Sequence, residues 1–171
     1  MATTTYVGLL RAVNVGGTGK LPMADLRDLC EAVGFSDVRT YIASGNVVFR
    51  SAKRVAGVKA ALEERLAAYA GKPVGVVLRQ HAELVRALEA QPFTTAAPNR
   101  VVVIFLDEPP PADTLATLRH RRDEQVALGE REIYVHYGDG MADSRLVIPA
   151  ARDGTARNLN TVARLIGMAA E

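Results

Sequence analysis

The chain has no tryptophan and one cysteine, and aromatics make up only 5% of its 171 residues. A core with so few rings must be packed from Val, Leu, Ile and Ala. The single thiol, Cys30, excludes an intrachain disulfide and any paired-cysteine metal site. His81, His120 and His136 lie in separate segments without ligand spacing, so no metal centre is expected. No apolar run approaches the ~20 residues needed to span a bilayer. The opening stretch, MATTTYVGLL, carries neither a basic segment nor a cleavage pattern, so no secretory signal is read and a cytoplasmic location is expected. An excess of one charge is also missing: 21 basic residues against 19 acidic ones leave a net charge of +2, which by itself does not imply a nucleic-acid partner.

Apolar residues at 49% and charged residues at 23% are ordinary for a globular protein. The length suits one compact domain, 1–171, built of two structural halves, about 1–80 and about 81–171. Residues 5–11 (TYVGLLR) read as a strand. A helix follows from Pro22 to Gly34, with Leu26, Leu29, Cys30 and Val33 at helical spacing. VRTYIA and NVVFRS flank SG as a hairpin. Residues 55–70 form a helix ended by Gly71, and 73–79 a strand. This is the split β-α-β-β-α-β order. After a helix at about 81–90 and a polar link, the apolar run 101–106 reads as a buried strand. PADTLATLRHRR reads as a helix begun at the Pro-rich turn 109–111, EQVAL and EIYVHY as a second hairpin, and about 158–169 as a last helix. The fold expected is α+β and duplicated ferredoxin-like, a β-α-β-β-α-β unit followed by β-α-β-β-α, its sheets covered by helices. The halves show no evident sequence identity, and the second lacks its final strand.

One stretch resembles a phosphate loop: RAVNVGGTGKLPM, residues 11–23. A Walker A loop needs G-x-x-x-x-G-K-[ST], but Asn14 stands at the first glycine and Leu21 at the Mg²⁺-binding hydroxyl. The spacing of Gly16, Gly17 and Gly19 also fails the dinucleotide pattern G-x-G-x-x-G. What remains is a strand end, a glycine turn, a lysine and a helix start. Successive backbone N–H groups and a helix N-terminus together attract anions. The plainer alternative is a connection whose glycines satisfy turn geometry.

Residues 9–49, LLRAVNVGGTGKLPMADLRDLCEAVGFSDVRTYIASGNVVF, resemble the opening signature of the bacterial domain-of-unknown-function family 1697. That signature runs L-L-R-G-I-N-V-G-G, then K-x-P-M, then G-F, then T-Y-x-x-S-G-N-V-x-F. GTARNLNTVARL, 154–165, resembles its closing T-x-R-N-W-N-T-V-x-K-L. The resemblance implies a duplicated α+β architecture and assigns no activity. Its signature positions fall here on Arg11, Asn14, Gly16, Gly17, Lys20, Met23, Tyr41, Ser44, Gly45, Asn46, Arg157, Asn158 and Thr161. Two positions depart from it: Ala12 replaces glycine and Leu159 replaces tryptophan.

The candidate ligand-binding residues are Arg11, Asn14, Gly16, Gly17, Lys20, Ser44, Asn46, Arg157 and Asn158, all polar donors or permissive glycines. Each has a structural alternative. Gly45 and Asn46 build a hairpin turn, Asn158 or Thr155 caps the last helix, and Arg157 pairs with a carboxylate such as Asp153. Cys30 is expected to be buried and inert. Ser44 lacks a nucleophile elbow, no general base is evident, and no catalytic residue or cofactor is assigned. The basic run LRHRRDE, 118–124, reads as a solvated helix end, where cations suit the C-terminal dipole. The function expected is binding of a small anionic ligand, a nucleotide or phosphorylated metabolite, at the glycine-rich loop. The alternatives are a nucleic-acid-binding module, disfavoured by the lack of an aromatic platform, and a non-catalytic assembly domain offering an exposed strand edge.

Overall fold

A computed structural model describes residues 2–11, 21–42, 45–138 and 143–170. The chain divides into two compact units: Met1–Glu83 with Leu165–Glu171, and Leu84–Arg164.

The first unit holds β1 (Thr4–Leu10), α1 (Met23–Ala32), β2 (Ser36–Tyr41), β3 (Asn46–Ser51), α2 (Val55–Ala70) and β4 (Val76–Gln80). Its four-stranded antiparallel sheet has the order β2-β3-β1-β4. Alternation along the strands sends Tyr6, Leu10, Val47, Phe49, Val76 and Leu78 into one core, where they meet Leu26 and Cys30 of α1 and Val58, Leu62 and Leu66 of α2. These helical residues recur every three or four positions, so each helix lays one apolar stripe on the sheet. With few rings available, the aromatics are concentrated: Phe35 stacks on Phe49 at 4.3 Å between centroids, and Tyr6 lies 5.9 Å from Phe49. The C-terminus of α2 is closed by Gly71 at φ +73°, which supplies the left-handed cap that stops a helix.

The helix α3 (His81–Ala90) begins in the first unit and continues into the second, which also holds β5 (Val101–Phe105), β6 (Gln125–Leu128), β7 (Glu132–His136) and β8 (Thr155–Asn158). The final helix, α4 (Leu159–Ala169), follows β8. The second sheet is also antiparallel, in the order β6-β7-β5-β8. One of its faces carries Val102, Ile104, Leu106, Ile133 and Val135. On the strand β7, Tyr134 donates its buried hydroxyl to the Ala87 carbonyl of α3 at 2.8 Å.

Three expectations are corrected here. The strand β8 occupies the stretch TARN, so the second unit does not lack its fourth strand, and the edge expected to be left open by that absence is filled, β8 pairing with β5. The helix expected over PADTLATLRHRR is reduced to a 3₁₀ turn at Thr114–Thr117. Three consecutive prolines precede it, and Thr114 and Thr117 bond their hydroxyls to the carbonyls of Pro111 and Thr114, which favours the tighter turn. Leu115, within that turn, is exposed. Helices therefore do not cover both sheets on every side. The face carrying Val102 and Ile104 is packed by Leu146, Ile148, Ala150 and Ala151 from an irregular segment before β8. Among the described residues no helix is long and apolar enough to cross a membrane.

Candidate functional site

At one end of the first sheet, β1 finishes while β3 and β4 begin. The Leu10 amide donates to the Gly45 carbonyl at 2.9 Å, and the Arg11 amide donates to the Gly75 carbonyl at 2.9 Å. The end of β1 at Leu10 therefore meets Gly45 of the hairpin, and Arg11 meets the chain that enters β4. The hairpin closes with Gly45 at φ +87° and Ile42 at φ +51°. The second is a β-branched side chain in the left-handed region, a strained conformation that surrounding structure must hold. It is also 48% exposed, so packing against a core does not explain it.

Arg11 is positioned by an absence. A Cβ on Gly75 would lie 2.9 Å from the Cδ and 3.1 Å from an Nη of Arg11, so the arginine side chain rests on bare backbone. The start of β4 beside it is clasped by α2: Glu63 accepts from the Val76 amide at 2.9 Å, and Lys59 bonds both Glu63 and the Val76 carbonyl. The N-terminus of α1 has no side-chain cap, but Asp25 lies in its first turn, where a carboxylate suits the helix dipole. Tyr69 at the end of α2 donates to that carboxylate at 2.6 Å, and this bond raises the phenol's pKa.

The candidate residues separate into three groups. Arg11 and Asn46 lie at this end of the first sheet. Asn46 is fully buried and donates Nδ2 to the Tyr41 carbonyl at 3.0 Å, so part of its amide closes the hairpin. Asn14, Gly16, Gly17, Lys20 and Ser44 fall outside the described residues. Arg157 and Asn158 belong to β8, in the second unit. Arg157 donates to the Thr155 hydroxyl at 2.6 Å and the Ala156 carbonyl at 2.8 Å, and burial lowers its pKa to about 10. Asn158 accepts from the Thr161 amide at 2.9 Å, the capping role weighed for it above. Burial, with a smaller contribution from Glu31, pushes the Cys30 thiol up to about 12 and makes it a poor nucleophile. A cavity of about 300 Å³ lies in the first unit, lined by Val33, Lys53, Ala61, Glu64, Arg65 and Ala68; none of these is a candidate residue. Among the described residues no group of three or more His, Cys, Asp or Glu is placed to hold a metal ion.

Sequence reading missed Arg79. It is paired with Val7 across β4 and β1, as Arg157 is paired with Val103 across β8 and β5. Both arginines are buried, and both donate back to the carbonyl of the preceding residue. The signal was present as an internal repeat: RQHAELVR, 79–86, against RNLNTVAR, 157–164. Each segment is a strand end, an amide residue and a helix start, and each has a local N-terminal clasp. Glu83 accepts from the Gln80 amide, and Asn158 from that of Thr161.

Among the described residues, two antiparallel four-stranded sheets with four α-helices define an α+β protein. The chain belongs to the family described as protein of unknown function (DUF1697), whose model matches residues 3–134. It is similar to the solved structure of the conserved bacterial protein SP0830 from Streptococcus pneumoniae. The two share 26% identity at a TM-score of 0.82, over 99% of this chain and 100% of that one. No curated protein matches the chain.

Proposed function

We propose that this is a cytoplasmic protein that binds a small anionic ligand, a nucleotide or phosphorylated metabolite, at the end of the first sheet where Arg11 leads into the glycine-rich segment. The observation that carries the reading is the pair of backbone bonds from Leu10 to Gly45 and from Arg11 to Gly75. They gather an arginine, a strained hairpin and a bare glycine cradle at one place. An arginine fork is well matched to phosphate oxygens. Gly16, Gly17 and Lys20, which follow Arg11 in the chain, are carried as sequence candidates for the same ligand, with Asn14 and Ser44. Arg157 and Asn158 are not, because their polar atoms serve their own strand and helix.

The nucleic-acid alternative loses its basis in stacking. Tyr6 and Phe49, the two aromatics on the central strands of the first sheet, are core residues. The architecture is best read as a duplicated ferredoxin-like fold. Its support is the shared strand order of the two sheets and the repeated Arg79 and Arg157 segments, although α-helices are absent from the described parts of the second unit's crossovers.

The test is a thermal-shift screen of the whole protein against nucleotides and sugar phosphates. A ligand that binds only the native state raises the melting temperature. At least one compound is expected to stabilise the wild type and to lose that effect with Arg11→Ala. Gly75→Ala should also weaken it, by displacing the arginine without removing it. Equal stabilisation of all three proteins, or of none, would overturn the reading.

A further inference from the structure

The basic run 118–124 is not used by the proposed site. A helix end would explain it, but no α-helix is there. Arg119 instead pairs with Val147 through two backbone bonds of 2.9 Å, one in each direction. Directly opposed residues of an antiparallel pair share a face. Burial alternates along 145–149: Arg145, Val147 and Pro149 are exposed, while Leu146 and Ile148 pack against the second sheet. Arg119, Arg145 and Val147 therefore stand on one outward surface.

The surface is braced from below. Glu124 is buried and accepts from the Arg122 amide at 2.6 Å and from the Ser144 hydroxyl, tying the two segments together. Arg121 donates Nε to the Glu124 carbonyl at 2.7 Å. The acid thus braces the platform rather than neutralising its outer face. No described carboxylate lies within 4.0 Å of the charged ends of Arg119, Arg122 or Arg145. Asp123 and Asp143 are the exposed acids on these segments.

We propose that this platform is a docking surface for an acidic segment of a partner protein, with an apolar side chain of that segment lying on Val147. The complement is chemical. Two arginine forks, Arg119 and Arg145, on a pre-ordered support match carboxylates while little ordering entropy is lost. Val147, 44% exposed, is directly opposite Arg119 and two residues from Arg145, an arginine-and-apolar mixture typical of protein interfaces. A nucleic-acid strand is a poorer fit, because neither segment, 118–124 or 143–149, carries a Phe, Tyr or Trp on which a base could stack.

The test measures fluorescence anisotropy of a short labelled peptide alternating glutamate with leucine, added to the full chain. Saturable binding is expected, weakened roughly tenfold or more by Arg119→Ala with Arg145→Ala and also weakened by Val147→Asp. Circular dichroism checks that these surface variants remain folded. Absence of binding, or affinity unchanged in the variants, would overturn the proposal. So would an all-glutamate peptide binding as tightly as the alternating one. An oligothymidylate that binds more tightly than the peptide, and loses affinity in the same variants, would overturn it in favour of nucleic acid. Arg11→Ala should leave peptide binding unchanged, which keeps this result separate from the ligand screen.

Discussion

The two units order their strands in the same way and cover them differently. In the first, both crossovers between sheet strands contain helices, and α1 and α2 lay periodic apolar stripes on the core. In the second, the described parts of the crossovers from β5 to β6 and from β7 to β8 contain 3₁₀ turns and irregular backbone, and Leu146 and Ile148 pack on the sheet instead. Strand order therefore does not depend on what fills the layer above. Alternating apolar residues and a hairpin set the sheet, whereas a helical cover needs its own periodicity and a chain free to donate its amides.

The largest expected difference is between the two covers. Leu62→Ala empties a fully buried position in α2 and should cost about 2–5 kcal/mol. Ile148→Ala, half-buried in the irregular cover of the second sheet, should cost about 1 kcal/mol. Denaturant midpoints measure both, and equal losses would break the comparison.

The next effect contrasts two glycines. A Cβ on Gly154 would lie 2.9 Å from the Phe105 carbonyl and 2.7 Å from Leu106, so Gly154→Ala should cost about 1–3 kcal/mol. Gly75→Ala meets only the flexible end of Arg11 and should cost below about 0.5 kcal/mol.

Tyr134→Phe comes third, losing one buried hydrogen bond worth about 1 kcal/mol. Burial, with a smaller contribution from Glu132, pushes this hydroxyl up to about 12, above its usual 10.0. The unfolded chain therefore loses the proton first. The stabilisation is complete below pH 10 and declines as pH rises toward 12. Wild type should lose this increment over that range and the phenylalanine variant should not.

The smallest effect concerns the brace under the arginine platform. Bonds from Ser144 and the Arg122 amide hold the Glu124 carboxyl below its usual 4.5. Its contribution is present above that value and is lost as pH falls through the lower folded one. The melting temperatures of wild type and Glu124→Gln should therefore converge on acidification. A gap that persists in acid would contradict the role given to the carboxylate.

Much of this fold was legible because its signals are local. Gly71 ended α2, and the hairpin at Gly45–Asn46 lies where SG interrupts two β-rich runs. The helix at 111–122 was misread because Leu115 and Leu118 imitate helical spacing while three prolines and two threonines favour a tight turn. β8 was hidden because TARN is too short to show alternation. The site was legible as a list of residues but not as a place. That Arg11 and the hairpin share one end of the sheet depends on the register of β1 against β3, which spacing does not encode. Arg79 was missed because a single arginine in an apolar strand looks like a solvent-facing residue until its repeat at Arg157 is noticed.

The convergence at the end of the first sheet is tested most directly by amide NMR of the full chain titrated with inorganic pyrophosphate. The account predicts that the amides of Leu10, Arg11, Gly45, Asn46 and Gly75 shift together along one saturable curve, and that Arg11→Ala abolishes it. Shifts confined to Arg119 and Arg145, or scattered shifts that never saturate, would contradict it.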